Sequence, residues 1–300
     1  MTSHQRTIRR SIHCTGIGLH SGLKVSLALK PAAADTGIRF LRADLGVEIP
    51  ATLEHLGPKQ VLQTSLIKGA ATVDTVEHLL SALRGLGVDN VIVELNQSEV
   101  PIMDGSAAPF IYLIQEAGVR ALNAPRKFLK VLRPITLSRG DKRIALYPSD
   151  HFKVTYSIAY DHPLLRHQSR TLRITETSFV EEIAAARTFT FLKEVEQLRK
   201  QGLALGGSLE NAIVVGETGV LNHALRFDDE FVRHKILDVI GDMALLGHPI
   251  IGHLVAHRGG HGLHTAFAAQ VLEERDAWTL VESPSTKDAR VPAAEPVTAN

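Results

Sequence analysis

The chain has a single cysteine, Cys14, in 300 residues. That excludes an intrachain disulfide framework and a thiolate-rich zinc cluster, and turns any search for metal ligands toward histidine and carboxylates. Cys14 itself reads as a small buried hydrophobe, and so cysteine-poor a chain suits a reducing compartment. An excess of charge is missing too: 33 lysines and arginines face 32 aspartates and glutamates, a formal net charge of +1. No global field argues for nucleic acid or an anionic membrane surface as partner, so an anionic ligand has to be met by local groups. No stretch approaches the roughly 18 uninterrupted apolar residues of a membrane span. The N-terminus, MTSHQRTIRRSIHCTG, lacks the apolar run of a signal peptide. The expectation is a cytoplasmic protein with no transmembrane segment. No segment recurs at a fixed period, which argues against a solenoid.

What is present is ordinary globular material, 44% hydrophobic and 22% charged, in a chain longer than one usual core. Between residues 23 and 53, LKVSLAL and GIRFLR read as strands broken by PAAADTG. Asp74 is placed to cap a helix running from Thr75 to Leu83 and ended by Gly85 and Gly87, with a strand in VDNVIVELN after it. PIMDGSAAPFIYLIQEAG reads as a tight loop and a second helix, and NAPRK, residues 123–127, as a linker. Beyond it FLKVLRPITLS, KRIALYP and FKVTYSIAY are three strand-like runs, followed by a helix from about Ser178. EVEQLRKQGLALGGSLENAIVVG then reads as helix, glycine-rich turn and strand, with a helix over FVRHKILDVIGDMALL. The expected organisation is α+β in two domains, 1–125 and 126–282. Residues 283–300, rich in Pro, Ala, Ser and Thr, are expected to be a disordered tail.

Three clusters carry chemistry. In FVRHKILDVIGDMALLGH, His234 and Asp238 are four apart, so on a helix they point at a common centre with Asp242 one turn beyond. The same spacing occurs in surface hydrogen-bonded pairs. Here Val232, Ile236, Val239, Ile240, Met243 and Leu246 supply a separate apolar face, so a half-buried helix with three convergent polar groups is expected. An imidazole and a carboxylate so placed suit zinc, whose hydrolytic sites take three protein ligands, so a third ligand has to come from elsewhere. Glu77 and His78 are adjacent on the earlier helix and diverge by about 100°, so one can bind metal while the other reaches water. Thr188, in AARTFTF, offers a hydroxyl to a developing oxyanion. In HRGGHGLH, glycines flank His261 and let it approach a ligand as a proton donor, its imidazolium held by a carboxylate such as Asp242; His257 and His264 lie in the same run.

Taken together, TVEHLLSALRGLGVDN, PIMDGSAAPF, AARTF, GLALGGS, RFDDEFVRHKILDVIGD and GGHGL resemble the UDP-3-O-acyl-N-acetylglucosamine deacetylases, the zinc enzymes of lipid A biosynthesis in Gram-negative bacteria, from about residue 5 to residue 282. The resemblance implies two similar α+β domains, each a β-sheet with helices, packed helices inward around a site at their interface. It implies one catalytic zinc ion on His78, His234 and Asp238, Glu77 as general base, His261 as general acid oriented by Asp242, and Thr188 as oxyanion donor. It further implies that Lys235, Lys142, Tyr160 and Arg258 meet the nucleotide, and that Phe189, Phe191, Leu198 and Leu203 fall along an acyl passage. The substrate it implies is a UDP-linked acylated amino sugar, deacetylated by a monomeric enzyme. Some relatives carry a cysteine in the segment matching VLQTSL, where this chain has Gln63 and Ser65. The loop NHALRF is slightly shorter than in some relatives, and without a dehydratase-like extension the chain reads as monofunctional.

Overall fold

Burial alternates residue by residue along several segments, including VIVEL at 91–95 and KVTYSI at 153–158, as it does in strands with one covered face. In a computed structural model that describes residues 3–58, 60–222 and 224–282, these segments build two five-stranded sheets. The first contains β1 (Ile12–Ile17), β2 (Lys24–Pro31), β3 (Ile38–Arg42), β4 (Val47–Pro50) and β5 (Val91–Leu95), in the order β1-β2-β5-β3-β4. The second contains β6 (Ile135–Arg139), β7 (Lys142–Tyr147), β8 (Lys153–Ile158), β9 (Gln168–Arg173) and β10 (His253–His257), in the order β6-β7-β10-β8-β9. In each sheet the late strand inserts antiparallel to the second strand and parallel to the third. The chain therefore repeats one topology twice, although no sequence repeat announces it.

The helices repeat as well. In the first half α1 (Glu77–Gly85) precedes the inserted strand and α2 (Ala108–Ala117) follows it. In the second half α3 (Glu176–Glu182) and α4 (Leu192–Lys200) are additions; α5 (Glu230–Met243) precedes the inserted strand and α6 (His261–Glu273) follows it. Helices α1 and α5 pack against each other, α5 lies on β8 and β9, and α6 on β6 and β7. The fold is thus α+β with the helices of the two halves in contact. Gly241 sets how close they come: a Cβ there would lie 2.1 Å from the carbonyl oxygen of Glu77, so only glycine lets α5 rest on the first turn of α1.

Several expectations change. Helix α1 starts at Glu77 because Thr75, at φ 58°, sits in the left-handed region and cannot extend a helix; the N-cap is Val76, and Asp74 instead accepts a hydrogen bond from the Ser65 hydroxyl. NAPRK is no loose linker: Val119–Pro125 is a strand paired with His4–Ile8, and Lys127–Val131 pairs with Trp278–Glu282. We propose the domain boundary at 125/126, between these two strands. FLKVLRPITLS is two strands, split before Ile135. The stretch HGLH opens α6, which puts His261 on the first turn of a helix. Helix α5 is buried almost all round rather than on one face, because α1 covers one side and β8 and β9 the other. Cys14 is half-buried, and burial pushes its thiol up to about 11. Among the described residues no helix is long and apolar enough to cross a membrane. The expected tail at 283–300 lies outside the described residues.

Candidate active site

The contact of α1 with α5 brings together residues 160 positions apart. His78, on the first turn of α1, faces His234 and Asp238 on α5, and one ligand atom from each lies within 4.8 Å of the others. Asp238 Oδ1 is 3.2 Å from His234 Nε2 and 3.7 Å from His78 Nε2. His234 Nδ1 donates to the Ala186 carbonyl at 3.0 Å, which fixes the tautomer and leaves Nε2 with a lone pair. Burial lowers its pKa to about 4, against the opposing pull of Asp238, so the ring is neutral near pH 7. Segment 186–188 is tied to the start of α5 by the Arg187–Glu230 ion pair at 2.8 Å, which secures that carbonyl.

The carboxylate of Asp238 also receives Lys235 Nζ on Oδ2 at 2.5 Å, while Oδ1 is buried and has no hydrogen-bond partner. Burial raises the Asp238 carboxyl, but His234 and Lys235 outweigh it and hold the group well below the usual carboxylate range. A buried acceptor with no hydrogen-bond partner, facing the Nε2 atoms of His78 and His234 at 3.7 and 3.2 Å, is costly unless a cation completes the group. The set His2Asp fits a zinc-like ion with an open position, so these residues suit a resident divalent metal.

Glu77 points elsewhere from the same turn. Its Oε2 accepts the backbone N–H of Thr64 at 2.9 Å, and its Oε1 lies 3.8 Å from His261 Nε2. Glu77 and His78 are both buried, by different neighbours, as divergent side chains must be. Burial raises the Glu77 pKa, with His261 and His78 pulling the other way. Thr64 then reaches across the site, its hydroxyl donating to Asp242 Oδ1 at 2.5 Å. Asp242 Oδ2 accepts from His261 Nδ1 at 2.9 Å and from His264 Nδ1 at 2.8 Å. Although burial disfavours its charge, the two imidazoles hold Asp242 well below the usual carboxylate range. Burial likewise works against the His261 cation, but Asp242 and Glu77 prevail and raise its pKa to about 9. Asp242, His261 and His264 are also close enough to hold a metal, yet here protons already fill the gaps between them.

A cavity of about 390 Å³ opens onto this cluster, lined by Glu77, His78, His234, Lys235, Asp238 and His261 together with Thr188 and Tyr160. Thr188 is half-buried in the wall. Leu19, Leu62, Thr188, Phe189 and Thr190 also line a second, mostly apolar cavity of about 300 Å³ that continues along Leu192, Leu198 and Leu209. Phe191 lines the first cavity, whereas Leu203 lines neither. Tyr160 stands edge-on to Phe189 at 5.9 Å. Lys235 is buried against Asp238, so its charge is already committed within the protein. Lys142 and Arg258 lie outside the lining; Arg258 pairs with Asp141 at 3.1 Å beside Gly259, which does line the cavity. Sequence reasoning missed Thr64, Tyr156 and the role of His264; none has a local spacing that points to the site.

The chain matches the family model described as UDP-3-O-acyl N-acetylglycosamine deacetylase over residues 5–273. It is 52% identical over 300 residues to the UDP-3-O-acyl-N-acetylglucosamine deacetylase of Pseudomonas entomophila (strain L48), covering 98% of this chain and 99% of that one. To the protein of the same name from Hahella chejuensis (strain KCTC 2396) it is 49% identical over 300 residues, with the same coverage.

Proposed function

We propose a division of labour for a chain that belongs to the UDP-3-O-acyl N-acetylglycosamine deacetylase family. The reaction is hydrolysis of the N-acetyl group of UDP-3-O-acyl-N-acetylglucosamine, giving acetate and the free 2-amino sugar nucleotide with its 3-O-acyl chain in place. This is the committed deacetylation of lipid A biosynthesis. The reading is carried by one observation: an acid, a base and a metal-competent trio from both halves of the chain meet in one cavity.

We assign one zinc ion to His78, His234 and Asp238. When bound, zinc supplies Lewis-acid polarisation of a carbonyl and makes water more acidic. Glu77 has Oε2 committed to Thr64 N–H, so Oε1 takes the proton from the attacking water. A nearby dication favours the ionised form that this role needs and offsets the effect of burial. The Thr188 hydroxyl donates to the oxyanion that develops on the acetamide oxygen. His261, with Nδ1 committed to Asp242, delivers its proton from Nε2 to the departing nitrogen. The apolar cavity beyond Phe189 takes the acyl chain, and Tyr160 meets the uracil. Lys142 and Arg258 meet the diphosphate from beside Gly259, while Lys235 acts first on Asp238. The enzyme works in the cytoplasm as a monomer.

The test of substrate class is competition. UDP is expected to raise the KM for the acylated sugar nucleotide and leave kcat unchanged. An amidase with no use for a nucleotide would be indifferent to UDP, and that result would overturn the substrate assignment.

A further inference from the structure

Asp242 is held by more groups than a single acid–carboxylate pair requires. Thr64 occupies Oδ1, while His261 and His264 share Oδ2, so the carboxylate is fixed from three sides. His264 is fully buried and turns its other nitrogen, Nε2, to the hydroxyl of Tyr156 at 2.9 Å; Tyr156 is fully buried too. Asp242 is ionised and can only accept, so the proton of that bond sits on His264 Nδ1, and Nε2 of a neutral His264 is left to accept from the Tyr156 hydroxyl, which burial keeps protonated. Burial also lowers the His264 pKa, against the pull of Asp242, in keeping with the neutral form.

The backbone is shaped around this bond. A Cβ at Gly259 would lie 2.7 Å from both His264 Nε2 and the Tyr156 hydroxyl oxygen, so the chain passes directly over the hydrogen bond and any side chain would wedge it apart. The preceding residue, Arg258, takes φ 53°, an uncommon backbone for a non-glycine residue, at the point where the strand turns toward His261.

We propose that Tyr156 and His264 are a buried positioning pair that fixes Asp242, and through it the imidazole of His261, for proton delivery to the leaving nitrogen. The inference rests on the assignment of His261 as the acid. Neither residue touches the substrate. With three donors on Asp242, the carboxylate is held against rotation, which keeps His261 Nδ1–H on Oδ2 and presents Nε2 as the nitrogen that delivers its proton to the leaving group.

The test uses the metal-loaded enzyme and the variants Tyr156→Phe and Gly259→Ala, alone and combined. Loss of one neutral hydrogen bond predicts a fall in kcat of about fivefold in each. KM and metal content stay unchanged in Tyr156→Phe, and the double variant loses no more kcat than either single, because both act on one bond. His264→Asn, which keeps an N–H near the Nδ1 position, retains more turnover than His264→Leu. Nitrogen NMR of the wild-type imidazoles is expected to place the His264 proton on Nδ1. Additive losses, a change in KM alone, or a His264 proton on Nε2 would each overturn the pair. Severe loss in His261→Ala beside wild-type turnover in Tyr156→Phe and Gly259→Ala would also overturn it, while leaving the acid assignment standing.

Discussion

His261→Ala is expected to lower kcat by roughly 10²- to 10⁴-fold, the range for removing a positioned acid, with metal content unchanged. The His261 ring stands 3.9 Å from Asp238 and 3.8 Å from Glu77, near the trio but bonded through Nδ1 to Asp242. Removing it therefore costs a proton donor and no ligand. The pH profile should carry the same signature. Because the pKa of His261 is raised to about 9, the acid is protonated at neutral pH and activity is lost as pH rises through about 9. Asp242→Asn removes the charge that holds the proton, so this alkaline limb should move down toward the free imidazole value of about 6.5. An unchanged limb in Asp242→Asn would show that the limb belongs to another group. Near-normal turnover in His261→Ala would sink the acid assignment itself.

The second large effect is expected at Glu77. Glu77→Gln keeps the shape and an oxygen for the Thr64 N–H but removes the base, so kcat should fall by roughly 10²- to 10⁴-fold with metal affinity retained. Stability should move the other way. The pKa of Glu77 is raised in the folded chain, chiefly by burial, so its favourable contribution exists below the unfolded pKa and is lost as pH rises through the folded one. At neutral pH, above the unfolded-state value, the metal-free protein thus carries a cost at this carboxyl that glutamine does not. Metal-free Glu77→Gln should melt no lower than the parent at pH 7, and its advantage should vanish in acid. A lower melting temperature at pH 7, measured without metal, would contradict this reading of the burial. Turnover close to that of the parent would remove Glu77 from the role of base.

Parts of the site were legible because they are local. The i, i+4 spacing of His234 and Asp238 needs only helical geometry, and the divergence of Glu77 from His78 follows from one step along a helix. What brings the two helices together is not local. It depends on a glycine, Gly241, meeting a backbone carbonyl 164 positions earlier, and nothing in GDM reports that contact. Thr64 is invisible for the same reason, since its two bonds reach different halves of the chain from an irregular segment. Helix α6 is masked by the glycines and histidines at its start, although Leu263, Phe267 and Val271 recur every four residues and are all buried. The twofold repeat of topology leaves no trace in sequence because each half keeps only strand and helix periodicity, not residue identity. Lys235 needs both kinds of information: its place in the pattern suggests a nucleotide contact, and the structure places it in the cavity lining with its ammonium on Asp238.

The most direct test of the central claim is deacetylation of UDP-3-O-acyl-N-acetylglucosamine by the purified protein, measured before chelation, after it, and after zinc is restored. Activity lost on chelation and recovered with zinc is the predicted result, and His234→Ala should abolish the recovery because it removes a ligand of the trio. Full activity in protein stripped of metal would contradict the account, as would a folded, zinc-loaded protein that leaves the acetyl group in place.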